Sequence, residues 1–169
     1  YAAEDADITF RLYKKFIKSL KHEKLINIYE IFEKPLIKIL AYMEMEGVEV
    51  DSNFLKKLSL KFDKKIKNLE KEVFKISKKE FNIASPKQLG EILFDKMGLP
   101  GGKKAKTGAY STSADVLDDL AANGFEIATK VLEWRHIAKL KSTYADALVD
   151  SILPETGRVH TSFSMVGAS

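Results

Sequence analysis

With 169 residues, 45% of them apolar and 31% charged, the chain can bury a core, which excludes wholesale disorder. No apolar run approaches the ~18 residues of a membrane span, and no signal-peptide pattern opens the sequence. Cysteine is absent, which removes disulfides, thiolate metal sites and cysteine nucleophiles together and fits a reducing cytoplasm.

The net charge of +4 says less than its placement. Between Lys56 and Lys79 ten lysines stand against only Asp63, Glu70 and Glu72, and Lys103, Lys104 and Lys106 cluster in a glycine-containing loop. A localised basic surface suits a polyanion such as nucleic acid, and a solvated helix face gives the same pattern.

In chain order, a first helix is predicted from near Tyr1 to about Leu20, with Ile8, Leu12, Phe16 and Leu20 along one side. A second spans roughly Leu25 to Glu46, with a kink expected at Pro35 and a stop at Gly47. Asp51 is a predicted N-cap for the longest helix, on which Leu55, Leu58, Phe62, Ile66, Leu69, Val73 and Ile76 form a near-heptad seam. Ser85, Pro86 and Gln88 have the order of a capping box opening a short helix, which ends at Gly98.

Ser111-Thr112-Ser113 is expected to cap another short helix, reaching about Ala122, with Asp115 completing a second box and Asn123-Gly124 ending it. A second long helix follows from about Glu126 to Ser151. Its apolar side, Val131, Trp134, Ile137, Leu140, Tyr144 and Leu148, can pack on the lysine-rich helix. The fold class is therefore mainly α, a long antiparallel helical hairpin with short helices at its tip. A turn at Pro154–Gly157 leads to a strand predicted from Arg158 to Val166.

Several groups invite chemistry. Arg135, Lys139, Ser142 and Asp146 share one helix face at spacings of four, three and four, and could meet phosphates or a minor groove. A solvated face with an ion pair explains them as well. The Ser111–Ser113 run, preceded by Lys106 and Thr107, suits a phosphate at a helix N-terminus, although capping alone accounts for Ser113. Tyr1 and Asp5 share a face, and a carboxylate there could ligate a hard cation; Glu4 and Asp7 point elsewhere, and a solvated turn is the plainer reading. His22, His136 and His160 lack metal-ligand spacing and read as surface or packed residues.

These residues together resemble the family A DNA polymerases of bacteria. Tyr1-Ala-Ala-Glu-Asp5 is similar to the last motif of that family's 3′–5′ exonuclease domain, and Pro35-Leu with Glu46-Gly47-Val48 to the segment entering the thumb. Phe81-Asn82-Ile-Ala-Ser85, Gln88-Leu89, Ser111-Thr112-Ser113 and Arg135 to Tyr144 resemble thumb signatures. Thr156-Gly157-Arg158-Val159-His160-Thr161 resembles the palm entry.

The resemblance implies four parts: 1–21 ending the exonuclease-like domain, 22–50 connecting, 51–153 the thumb, and 154–169 the start of a palm. It carries DNA contacts to Asn82, Ser85, Lys106, Thr107, Ser111, Thr112, Ser113, Arg135, Lys139 and Ser142. Tyr1 and Asp5 match exonuclease residues, Asp5 as a metal ligand in an intact domain. The implied parent is a monomeric, cytoplasmic, nucleoid-associated nucleotidyltransferase of replication and repair, taking primer–template duplex, deoxynucleoside triphosphates and Mg2+. The palm aspartates and the fingers helix fall further on in the family, so this stretch alone is expected to bind duplex, hold no cofactor and lack polymerisation chemistry. A basic helical module docking on an acidic protein is the alternative.

Overall fold

A computed structural model describes residues 2–103, 108 and 110–165. The chain divides into two compact units, Val50–Ile152 and the combination of Tyr1–Glu49 with Leu153–Ser169.

In the unit formed by the two ends, α1 (Ala2–His22) leads to α2 (Ile26–Ile28), a π-helical turn π1 (Tyr29–Glu33), and α3 (Lys34–Glu46). That wide turn immediately precedes Pro35, where a kink is predicted. Proline cannot donate to the carbonyl four residues back and its ring crowds it. The Lys34 N–H bonds instead to the Tyr29 carbonyl, five residues earlier, which opens the helix just before the proline. None of these helices buries a residue, so the predicted stripe on α1 stays open, with Ile8, Leu12 and Phe16 all about half exposed.

Gly47 ends α3 as predicted, with φ +70° and ψ −179°, a conformation essentially reserved for glycine. β1 (Val48–Glu49) then pairs antiparallel with β3 (Arg158–Val159) in a small sheet ordered β1-β3-β2, where β2 is Ile152–Leu153. The strand predicted to reach Val166 is thus only two residues long; residues 160–165 are not extended into the ladder, and Val166 lies outside the described residues. His160 explains the early stop. Its Nδ1 meets the Glu44 carbonyl at 2.7 Å and its Nε2 the Thr156 hydroxyl at 2.8 Å, while Glu44 Oε1 accepts the Phe163 N–H. A carbonyl can only accept, so Nδ1 carries the proton.

The second unit is built on α4 (Ser52–Ser77), opened by Asp51, whose Oδ1 accepts from the Phe54 N–H at 2.9 Å. It packs along α7 (Glu126–Lys139), the π-helical π3 (Leu140–Asp146) and α8 (Ala147–Asp150). The pairing is antiparallel. As α4 advances through Ser59, Lys65 and Glu72, its polar partners retreat through Asp146, Glu133 and Lys130. Between the long helices lie α5 (Pro86–Gly90), π2 (Glu91–Lys96) and α6 (Ala114–Ala122), the last packed on α7. One core binds them, with Val73, Leu89, Leu93, Leu117, Ile127 and Val131 almost wholly buried.

The predicted Glu126–Ser151 helix is continuous in path but changes winding at π3. Each π turn takes one residue more than an α turn, so the face to α4 passes from Leu140 to Ala145 instead of Tyr144. Ala145 is 1% exposed and Tyr144 is 51% exposed, which corrects the predicted apolar side.

Candidate nucleic-acid interface

The candidate residues cluster where α4 ends and α6 begins. At the end of α4, Lys78 adopts φ +54° and the Lys96 ammonium donates to the Ser77 carbonyl at 3.0 Å, a cation placed on a helix C-terminus. The chain then turns at Asn82, whose side-chain oxygen accepts from the Ala84 N–H at 2.9 Å.

The predicted capping box is altered here. Ser85 Oγ accepts weakly from the Gln88 N–H at 3.4 Å, but Gln88 Oε1 accepts from the Asn82 N–H at 2.8 Å and not from Ser85. The Ser85 N–H is already bonded to the Asn82 carbonyl, so the glutamine reaches one turn further back. Asn82 is exposed and Ser85 half-buried, and both hold the turn that presents them.

Across from this turn, Ala84, Pro86, Tyr110, Ser111, Thr112, Ser113, Trp134 and Arg135 line an open cleft of about 550 Å³. Its floor is fixed by close packing. Tyr110 stacks at a tilt on Phe94, 4.9 Å between ring centroids, and bonds Asp95 through its hydroxyl. A Cβ on Gly90 would come within 2.7 Å of the Tyr110 Cβ, so only glycine allows α5 this near.

Arg135 makes the decisive connection. Its guanidinium donates to the Thr112 carbonyl at 2.5 Å and to the Thr112 hydroxyl at 3.2 Å. Burial pushes its pKa down, and an arginine so shifted still carries its charge at neutral pH. Thr112 is 6% exposed, so of the three hydroxyl residues it is the inward one. Ser111 Oγ lies 3.4 Å from Ser113 Oγ, half-buried and exposed respectively.

The predicted second capping box does not form. Ser113 is the N-cap of α6, which puts Asp115 at the second helical position instead of the third, and no side chain caps the helix. The first-turn N–H groups of α6 are therefore left without a side-chain acceptor beside the two serines, a suitable site for an anion.

The four residues predicted to share a face are separated by the π3 winding. Lys139 and Ser142 are exposed, while Asp146 turns inward to accept from Ser59 at 2.5 Å and Lys141 at 2.7 Å. These partners hold the Asp146 carboxyl below its usual range, the Lys141 bond foremost. Lys139 has no ion-pair partner among the described residues.

Lys106, Thr107 and Tyr1 lie outside the described residues. Asp5 is exposed on α1, and among the described residues no group of three histidine or acidic side chains could hold a metal ion. Sequence reasoning missed Tyr110 and Trp134 as cleft walls. Trp134 falls on the apolar seam by spacing, yet its Nε1 donates to Glu70 at 3.2 Å; helical spacing alone does not show both roles.

Residues 52–169 match the model of DNA polymerase family A, from the first residue of α4 onward. The chain belongs to family A of the DNA polymerases. It is 51% identical over 169 residues to DNA polymerase I of Rhizobium leguminosarum, covering all of this chain and 17% of that protein. With the thermostable DNA polymerase I of Thermus aquaticus it shares 43% over 170 residues, 99% of this chain and 20% of the relative. Among solved structures, the polymerase domain of Pol1 from M. smegmatis, in complex with DNA primer-template and dNTP, superposes with a TM-score of 0.75 at 33% identity. That match covers 89% of this chain and 26% of the other. The chain therefore spans about a fifth of the length of these curated relatives. No helix among its described residues is long and apolar enough to cross a membrane.

Proposed function

We propose that Val50–Ile152 is the thumb of a bacterial DNA polymerase I and grips the primer–template duplex behind the growing end. The 51–153 thumb, with 1–21 as the close of an exonuclease-like domain, 22–50 as connection and 154–169 as palm entry, is the reading that the compact unit and the relatives support. The observation that carries it is the clasp of Arg135 on Thr112. It holds Ser111 and Ser113 at the mouth of a cleft beside the N-terminus of α6.

Serine hydroxyls and free backbone N–H groups donate to phosphate oxygens, and Lys139 and Ser142 extend the contact along the second helix. Asn82 and Ser85 border the same region, with Lys106 and Thr107 adjoining it in sequence. Such contacts ignore base identity, which a protein that must slide along its template requires.

The template-directed transfer of deoxynucleotides, with Mg2+ and deoxynucleoside triphosphates, is proposed for the whole protein, in a cytoplasmic, nucleoid-associated monomer. The described residues offer no cluster of carboxylate or histidine side chains for that metal. Tyr1 and Asp5 are proposed to serve an exonuclease centre only where the other carboxylates of an intact domain meet them.

Titration of labelled primer–template duplex over a salt series tests the grip. Lys139→Ala should lower the salt slope by about 0.9, one phosphate's share, while Ser111→Ala with Ser113→Ala should weaken binding at unchanged slope. Undetectable duplex binding at low salt, or equal displacement by an acidic peptide, would overturn the reading.

A further inference from the structure

The lysines of α4 are not spread evenly. Lys57, Lys61, Lys64, Lys71 and Lys75, with Asn68 between them, recur at steps of four, three, four, three and four, so they form one straight stripe. The seam of Leu55, Phe62, Leu69, Val73 and Ile76 lies on the opposite side of the helix, against α7 and π3. From Lys57 to Lys75 the stripe runs about 27 Å at 1.5 Å per residue.

All five lysines are exposed, and none makes an ion pair among the described residues. The acids of α4 are engaged elsewhere: Asp63 with Lys67 at 2.8 Å, Glu70 with the Trp134 indole at 3.2 Å, and Glu72 with Lys130 at 2.7 Å. Lys65, which is not on the stripe, pairs with Glu133 at 2.8 Å. Among the described residues the stripe is thus a cationic line without ion-pair partners.

We infer that this stripe is a second nucleic-acid track, which holds the phosphate backbone of a duplex segment other than the one gripped beside Ser111–Ser113. It faces away from α7, the helix that carries Arg135 and Lys139, so one straight duplex cannot lie on both surfaces. Charge complementarity selects the occupant. A duplex presents one negative charge per ~1.7 Å of axis, dense enough to meet every lysine over this length.

The composition disfavours other partners. Protein interfaces need a desolvated apolar or aromatic centre and are depleted in lysine, and on α4 only Phe54, one turn before Lys57, and Leu60 are large apolar side chains left mostly exposed. Single strands bind through successive aromatic platforms, and the stripe from Lys57 to Lys75 holds none, with Phe54 standing alone one turn before it. A membrane surface would need the apolar face of α4, which α7 covers.

The test is the stoichiometry of a short blunt duplex, too short to reach both surfaces, at low salt. The chain should bind two duplexes. A variant with glutamine at all five lysines should bind one, and should lose about 4.5 from the summed salt slope, from ~0.9 per phosphate. That slope corresponds to on the order of 500-fold in affinity between 50 and 200 mM salt for the stripe. Arginine at the same positions should keep both events. If five changes disturb folding, Lys64→Gln with Lys71→Gln should still lower the slope by about 1.8. A variant carrying Ser111→Ala, Ser113→Ala and Lys139→Ala should lose the other event alone, so the two surfaces fail or survive separately. Two bound duplexes on the five-glutamine variant would overturn the inference, as would release of the second duplex by polyglutamate at equal charge concentration.

Discussion

Arg135→Ala separates a brace from a free phosphate ligand. The guanidinium spans two acceptors of one residue, the Thr112 carbonyl at 2.5 Å and its hydroxyl at 3.2 Å. Thr112 is 6% exposed, so water replaces these bonds poorly once the side chain is gone. A buried polar group left without its partner costs about 1–3 kcal/mol, and bonds from a charged donor lie at the upper end. Two such bonds to one turn, partly relaxed, set the expected loss at about 2–3 kcal/mol. Lys139→Ala, at an exposed position, should stay within about 0.5 kcal/mol. Urea denaturation reads the difference. With a slope of about 2 kcal/mol per molar, Arg135→Ala should lower the midpoint by roughly 1–1.5 M with no change in slope. Thr112→Val removes only the hydroxyl arm and should cost about 1 kcal/mol. In a double-mutant cycle the pair should fall short of additivity, because the second change deletes a bond already lost. Duplex affinity of Arg135→Ala should fall without the full unit of salt slope that a lost phosphate contact gives. An unchanged midpoint together with a slope lowered by about 0.9 would refute the brace and make Arg135 a direct ligand.

Three further outcomes follow from the packing. Gly47→Ala places a side chain at φ +70° and a Cβ within 2.8 Å of the His160 ring, so it should cost about 1–3 kcal/mol and reduce hydrogen-exchange protection at Val159. Leu93→Ala empties a fully buried site among Val73, Leu117 and Val131 and should cost about 2–5 kcal/mol by chemical denaturation. Asp146, held below the usual carboxylate range by Lys141 and then by Ser59, contributes stability that is present above its unfolded value of 3.8. That contribution is lost as pH falls through the lower folded value. Asp146→Asn should therefore remove part of the stability drop seen below about pH 4, and an unchanged acid limb in urea midpoints would contradict the assignment.

The parts legible in the sequence were those fixed by local rules. Asp51, Gly47 and Gly124 mark helix ends because a cap or a positive φ depends on the residue and its immediate neighbours. The α4 seam was legible because an uninterrupted α-helix keeps its steps of three and four, and the observed antiparallel pairing uses that seam. Where the winding changes, the same arithmetic fails. Leu140 to Tyr144 is one α turn, but Leu140 to Ala145 is the turn taken, and nothing in a step of four shows which is used. The small Ala145 fits the result, since it lets π3 come close enough for Asp146 to reach Ser59.

The interface shows the same division at longer range. Its hydroxyl run could be read as a helix opening, although the cap fell one residue later than Asp115 required. Its cations could be placed on a face by spacing, which treats Arg135 and Lys139 alike. They differ because Thr112, twenty-three residues before Arg135, folds back against one and not the other. Periodicity gives the direction in which a side chain leaves its own helix, and what meets it there depends on the other elements. A charged residue beside a buried carbonyl becomes part of the scaffold, and one facing solvent keeps its charge for a ligand. By that criterion Lys139 and the outer lysines of α4 are among the cations free to meet phosphate in this unit, while Arg135 shapes the surface on which the serines act.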